Sequence, residues 1–458
     1  MNPSQLNNYK QVYFLGIGGI GMSALARYFR QQGLKVLGYD KTPTELTKNL
    51  EEEGCEIHYE DLGKDLPVHH TQFNKTLFIL TPAIPAKHAE WNFLKEKGVT
   101  IYKRAEVLGM LTRQSKALCV AGTHGKTTTS AMIAHILHES DWKCNAFLGG
   151  ISANFNSNLV LDNESTWSVI EADEFDRSFL HLSPFASIVT SADPDHLDIY
   201  GTAEHFQEGF RQYAMKTDMN GRLIQREGLN LPSICKSKTY ALDSDTADYT
   251  MRNLYWKNNV LSGDVYFGRE RWNHVELGIP GLHNAENALA CIALLNELGM
   301  DEDDIRFGLK TFKGVKRRFE YHIKSDELVY IDDYAHHPQE LKSLIDSLRM
   351  LYPKQKIYGI FQPHLFTRTR DFANDFAIQL SRFDETILMP IYPAREEPIH
   401  GITSDWLFEK INAKKKFLFK PSEVLQHFST TQKGIIVTVG AGDIDRIVQP
   451  LKTILQPE

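Results

Sequence analysis

Twice in this chain of 458 residues a short apolar run ends in a glycine-rich turn that opens a helical pattern, and that repeated device confines the fold to parallel α/β layers. Residues 12–15 lead into Gly16-Ile17-Gly18-Gly19-Ile20-Gly21, followed by a helical pattern over 22–32. Residues 117–121 lead into Gly122-Thr123-His124-Gly125-Lys126-Thr127-Thr128-Thr129. Such a turn aims backbone N–H groups and the positive end of a helix dipole at an anion. Two of them imply two phosphorylated ligands and a reaction that brings these together. Asp40 ends the apolar run after the first loop, where dinucleotide-binding folds carry an acid on a ribose hydroxyl; the bland alternative is a tight turn that binds nothing. The second loop is a shortened P-loop, with Val120 where the strict pattern has its first glycine. Lys126 can still reach β- and γ-phosphates, and the Thr127 hydroxyl can ligate Mg²⁺.

The length implies two or three domains. Hydrophobic and charged fractions of 42% and 24% are those of a globular protein, and a net charge of −7 argues against a broad nucleic-acid surface. Cys55, Cys119, Cys144, Cys235 and Cys291 are scattered, with no C-x-x-C pair. They read as reduced thiols of a cytoplasmic protein, not a disulfide framework or a zinc site. The N-terminus lacks an apolar signal core, and no apolar run approaches the ~18 residues of a membrane span.

Strand candidates at 12–15, 36–39, 76–80 and 99–102 alternate with helical patterns, which predicts a Rossmann-like domain over 1–112. A central P-loop α/β domain, expected over 113–315, carries strand candidates at 117–121, 168–171 and 187–190. Residues 240–274 read as added antiparallel sheet, with hairpin turns at Lys257-Asn258-Asn259 and Leu261-Ser262-Gly263-Asp264, and 284–298 reads as helix. The pattern restarts near 316. Strand candidates at 328–331, 356–361, 386–389 and 435–439, with a helix over 339–351, predict a second Rossmann-like domain over 316–458.

Ligands of open α/β sheets sit beyond the carboxyl ends of the strands, and those positions here are polar. Glu171-Ala172-Asp173-Glu174-Phe175-Asp176 and Asp193-Pro194-Asp195-His196-Leu197-Asp198 follow two central strands, and acids facing a P-loop are natural ligands of Mg²⁺. In the third domain, Asp332-Asp333-Tyr334-Ala335-His336-His337-Pro338, Gln362-Pro363-His364, Thr367-Arg368-Thr369-Arg370 and Tyr392-Pro393-Ala394-Arg395 follow three strands. His336, His337, Arg368, Arg370 and Arg395 are thereby candidates to hold an α-carboxylate. A surface loop explains any one of these clusters but not all of them together.

In their order along the chain these motifs resemble the Mur ligases, the ATP-dependent amide-forming enzymes of peptidoglycan precursor synthesis. The matching segments include Gly16 to Ser23, Gly122 to Thr129, Glu171-Ala172-Asp173-Glu174, Asp195-His196-Leu197-Asp198, His283-Asn284, Asn287-Ala288, Arg317-Arg318-Phe319-Glu320 and Asp332 to Pro338. The resemblance implies a UDP-sugar on the first domain, held by Gly16, Gly18, Gly19, Gly21, Ser23 and Asp40. It implies ATP on the second, at Gly122, Thr123, Gly125, Lys126, Thr127 and Thr128, with Mg²⁺ on Thr127, Glu171 and His196. His283 and Asn287 resemble adenosine-pocket residues, Arg318 the arginine on the γ-phosphate, and Asp332 or Asp333 a nucleotide contact; Lys126, His196 and Arg318 would carry the catalysis. The implied reaction joins L-alanine to the carboxylate of UDP-N-acetylmuramate through an acyl phosphate, releasing ADP and phosphate, in a cytoplasmic monomer or homodimer. A recycling ligase adding a murein tripeptide to the same UDP-sugar is the nearest alternative. A nicotinamide dehydrogenase leaves the Lys126 loop unexplained, and a non-catalytic nucleotide module leaves the first loop unexplained.

Overall fold

The computed structural model describes residues 6, 8–194, 197–257, 260–394, 396–429 and 432–456. Its strands form three sheets. The first holds β1 (Gln11–Leu15), β2 (Lys35–Tyr39), β3 (Glu56–His58), β4 (Thr76–Leu80) and β5 (Ile101–Lys103), in the order β3-β2-β1-β4-β5 and all parallel. β1 and β4 are buried along their whole length, as strands covered by helices on both faces must be. The first glycine loop leaves the carboxyl end of β1, where the strand order reverses. The strand expected at 99–102 starts two residues later. Val99 and Gly98 instead donate to Leu94 and Lys95 and stop the helix Ala89–Glu96, with Gly98 at φ +67°.

The second sheet contains β6 (Lys116–Ala121), β7 (Asn145–Ser152), β8 (Ser157–Val160), β9 (Trp167–Ala172), β10 (Ala186–Val189), β11 (Arg222–Arg226), β12 (Lys236–Leu242), β13 (Tyr249–Lys257), β14 (Val260–Phe267) and β15 (Glu270–Leu277). Their order is β15-β14-β13-β12-β11-β10-β6-β9-β7-β8. The helix Lys126–Glu139 that follows β6 is buried from Thr127 through Leu137, so it serves as core. The expectation of antiparallel sheet from residue 240 is corrected at its start: Tyr240–Leu242 of β12 run parallel to β11 and to the start of β13. The turn expected at 261–264 is the interior of β14, where Leu261 and Ser262 are buried; the next turn is Gly268-Arg269. Strand pairs joined by two residues, as β14 and β15 are, must be antiparallel. Residues 258–259 of the other expected turn lie outside the described residues.

The third sheet runs β16 (Glu320–Lys324), β17 (Leu328–Asp333), β21 (Gly434–Val439), β18 (Ile357–Phe361), β19 (Glu385–Leu388), β20 (Lys416–Leu418) in space. β17, β21, β18, β19 and β20 are parallel, and only β16 is antiparallel. The chain divides into two compact units, 1–255 with 262–278 and 286–313, and 256–261 with 279–285 and 314–458. In the first unit one core is shared by the first two sheets. Phe14, Leu25, Phe29 and Leu108 from one side join Cys119, Phe147, Ile170 and Phe179 from the other. Among the described residues no helix is long and apolar enough to cross a membrane, and all five cysteines are free thiols.

Candidate active site

At the first loop, Gly16 has φ +92°, and a Cβ there would collide with the Thr81 methyl, so the chain needs glycine to leave β1. The Gly18 amide donates to the Asp40 carboxylate at 2.7 Å. A Cβ on Gly18 would lie 2.6 Å from Thr47 and 2.8 Å from Asp40. Asp40 therefore braces the loop from the end of β2. Gly19 is open, and precedes the helix Ile20–Gln31. Ser23 is fully buried: its hydroxyl donates to the Ile20 carbonyl and accepts from Asn158 at 3.0 Å, so it fixes this helix to β8.

Arg104, the first residue of the helix Arg104–Thr112, packs its guanidinium on the backbone of Gly21 and reaches Asp173 at 3.4 Å. Lys103 beside it pairs with Asp176 at 2.6 Å. Two cations at the end of β5 thus tie the first loop to the acidic segment after β9. Neither was singled out in the sequence, although a Lys-Arg pair at a strand end facing an acidic run was the available signal.

The second loop is as tightly built. Gly122 and Gly125 have φ +138° and +82°; a Cβ on Gly122 would enter the Thr190 hydroxyl, and one on Gly125 would lie 2.6 Å from the Asn287 carbonyl oxygen. Asn287 therefore lies against the loop. Thr123 donates to the Asp193 carbonyl at 2.8 Å, and Thr127 and Thr128 open the helix, both nearly buried. The Lys126 ammonium donates to the Gly122 carbonyl at 2.6 Å and to both Glu174 oxygens at 2.9 and 2.6 Å. Burial opposes its charge, but the carboxylates of Glu174, Asp173 and Glu171 outweigh that and raise its pKa. Glu174 is 2% exposed, and of the acidic run expected to face this loop it is the residue that meets the lysine.

Parallel pairing sets Glu171 of β9 beside Val120 of β6, one residue from the end of that strand. Its carboxylate lies on the backbone of Gly149 in β7, where a Cβ would overlap it, and its Oε2 is buried with no hydrogen-bond partner among the described residues. A buried carboxylate oxygen left over in this way, on the strand beside the one that leads into the Lys126 loop, is the kind of donor that suits a hard divalent cation. His196 lies outside the described residues.

In the second unit the carboxyl ends of β17, β21, β18 and β19 share one edge. Asp332 is 1% exposed, bound by Arg317 at 3.0 Å and by the Thr438 hydroxyl at 2.6 Å. Asp333 accepts from the Phe319 and Ala335 amides; burial, opposed by Arg318, pushes its carboxyl up to about 6. Arg317 and Phe319 have φ +61° and +51°, a backbone that non-glycine residues adopt at a cost, and they flank Arg318, whose guanidinium stacks 4.9 Å from the Tyr334 ring. Arg318 also reaches Glu340 at 3.8 Å.

His336, His364, Arg368 and Tyr392 converge. The His336 and His364 rings lie 6.0 Å apart, His364 stacks on Tyr392 at 5.8 Å, and Arg368 reaches His364 at 3.4 Å. Burial lowers the His336 pKa to about 4 and keeps the imidazole neutral. His337 does not join them: it caps the helix Pro338–Leu351 and packs on Phe372 at 4.7 Å. Arg370 is half-exposed and pairs with its neighbour Asp371. Arg395 lies outside the described residues. His283 touches Ser347 and lies near Phe319, and burial lowers its pKa to about 4.

Three family models match the chain: Mur ligase family, catalytic domain over 11–116; Mur ligase middle domain over 120–295; and Mur ligase, glutamate ligase domain over 317–447. The UDP-N-acetylmuramate–L-alanine ligases of Parabacteroides distasonis and Cytophaga hutchinsonii are 48% and 46% identical to it, each over 98% of both chains. The crystal structure of the UDP-N-acetylmuramate–alanine ligase of Thermotoga maritima superposes with a TM-score of 0.82 at 28% identity, covering 96% of this chain and 98% of that one. A murein peptide ligase from Psychrobacter arcticus shares the fold, with a TM-score of 0.69 at 22% identity over 98% and 99%.

Proposed function

This chain belongs to the Mur ligase family, and on that premise we propose that it is an ADP-forming ligase joining L-alanine to the carboxylate of UDP-N-acetylmuramate. The family uses ATP. A carboxylate does not condense with an amine in water without activation. Transfer of the γ-phosphoryl group would give an acyl phosphate and ADP; attack by the alanine amine then expels phosphate. The protein's share is positioning and charge neutralisation.

In this reading the Gly16–Gly21 loop holds the UDP-sugar over residues 1–112, the Gly122–Thr128 loop holds ATP over 113–315, and residues 316–458 hold the amino acid. Lys126 offsets charge on the transferring group, Thr127, Glu171 and His196 hold Mg²⁺, and that ion supplies further neutralisation of the phosphates. Asn287 and His283 serve the adenosine, Arg318 the γ-phosphate, and Asp332 and Asp333 the nucleotide, through the arginine loop they brace. His336 and Arg368 serve the alanine carboxylate. We place the reaction in the cytoplasm, in a monomer or homodimer.

The observation that supports the reading is the buried oxygen of Glu171 beside the Lys126 loop, unpartnered among the described residues and in the same compact unit as the first glycine loop. The test is phosphate release with ATP, Mg²⁺ and UDP-N-acetylmuramate. L-Alanine should support turnover, with leakage to serine and glycine, because one methylene or hydroxyl discriminates by only about 1–3 kcal/mol. Turnover with the murein tripeptide and none with L-alanine would replace this reading by the recycling ligase.

A further inference from the structure

All three protons of the Lys126 ammonium have acceptors within the protein: the Gly122 carbonyl and both oxygens of Glu174. The lysine at the head of the loop is therefore fully engaged within the protein, and a phosphate must compete for it. Its partner is not a loose surface acid. Glu174 is 2% exposed, and its backbone carbonyl accepts from the Tyr200 hydroxyl at 2.6 Å. It is followed directly by a turn in which Asp176 and Arg177 both have positive φ, so the chain is bent locally to present this residue. Asp173 just before it is held by Arg104, and the Asp173 and Glu171 carboxylates both act on the Lys126 charge.

A phosphate that takes the ammonium must part a buried ion pair and leave a carboxylate uncompensated in an already acidic corner. A free anion brings only more negative charge. A nucleotide that arrives with a divalent cation brings the positive charge that this corner then lacks. We propose that Glu174 is a positioning residue that holds Lys126 in reserve, competing with phosphates for the ammonium so that nucleotide binds this loop tightly only together with its divalent cation. The proposal rests on the ATP-binding reading of the loop and adds a basis for rejecting metal-free phosphates.

The test is calorimetric titration of the full chain with ADP, in EDTA and in Mg²⁺, for the parent protein, Glu174→Gln and Glu174→Asp. The parent should bind ADP weakly in EDTA and at least tenfold more tightly with Mg²⁺. Glu174→Gln keeps the shape of the pair and removes its charge; metal-free ADP should bind about tenfold more tightly, and the enhancement by Mg²⁺ should shrink accordingly. Adding Lys126→Ala to Glu174→Gln should abolish the gain. If Glu174→Gln fails to fold by circular dichroism, Glu174→Asp, whose shorter arm loosens the pair, should still tighten metal-free ADP several-fold. Unchanged or weakened metal-free binding in the folded variant overturns the proposal and leaves Glu174 as a structural support. Failure of the parent to bind ADP under both conditions overturns instead the reading of the loop as an ATP site.

Discussion

Lys126 and Glu174 are 13% and 2% exposed at the side chain, so removing one strands the other. Lys126→Ala should lower kcat by two orders of magnitude or more, because the cation on the transferring group is lost. It should also cost stability, about 3–5 kcal/mol for an unpaired buried carboxylate. Lys126→Ala with Glu174→Gln should regain most of the stability in urea unfolding and none of the rate; recovery of rate would remove Lys126 from the chemistry. His283 gives a pH prediction. Burial holds its folded pKa near 4, against 6.5 for the free side chain. Between those values the unfolded chain takes up a proton that the folded one refuses. Its contribution is therefore complete above about pH 6.5 and is lost as the pH falls toward 4. His283→Asn should show a smaller drop in unfolding free energy from pH 7 to pH 5 than the parent; equal drops would mean that the folded imidazole is protonated. At this scale the sequence displayed Lys126 and the acidic run after β9. It did not display which acid meets the lysine, because the partner is 48 positions away and the choice depends on a kink at Asp176 and Arg177. The same holds for His337, adjacent to His336 yet turned into a helix cap.

Elements built around close backbone approach yield sharper expectations than those built on propensity. Gly149 lies in β7 where the register with β8 slips, and the Glu171 carboxylate occupies the space its Cβ would need. Gly149→Ala should push that carboxylate aside, shift the Mg²⁺ activation midpoint upward by tenfold or more, and change the melting temperature little. A parent-like Mg²⁺ curve would place the cation elsewhere. Strands with continuous apolar runs between glycine turns, such as β1, β4, β6 and β21, were legible because a buried parallel strand needs no alternation. β3, β16 and β20 were not: they are short edge strands of three to five residues, and β16 carries a bulge. Within β14, residues 261–264 read as a turn because Ser262 and Gly263 carry turn composition, yet Gly263 is there for space, a Cβ standing 2.9 Å from Leu254. Composition encodes what a residue can do locally, and here a neighbouring strand decided.

Over the whole molecule, the first two sheets share one core, with Tyr28 of the helix after the first loop set against Phe147 of β7 at 5.5 Å. Residues 1–112 alone would expose that face. Expressed as a fragment they should bind a hydrophobic dye and lack a cooperative melt, whereas a sharp transition with native-like near-ultraviolet dichroism would show that the shared core is dispensable. Three sheets and their order of appearance were readable from alternation, but the merging of two sheets onto one core was not, since nothing in the spacing of apolar residues says which layer they face. The Lys103–Asp176 and Arg104–Asp173 pairs lie at that same junction. On the proposed reading of the two loops they brace the interval between the UDP-sugar and the ATP, and a braced interval would act as a gauge. A UDP-sugar whose carboxyl-bearing arm matches the interval would then deliver its oxygen to the phosphorus. UDP-N-acetylglucosamine, which lacks the arm, would seat its uridine and fall short, an occupant that inhibits without reacting and is excluded from chemistry by measurement alone.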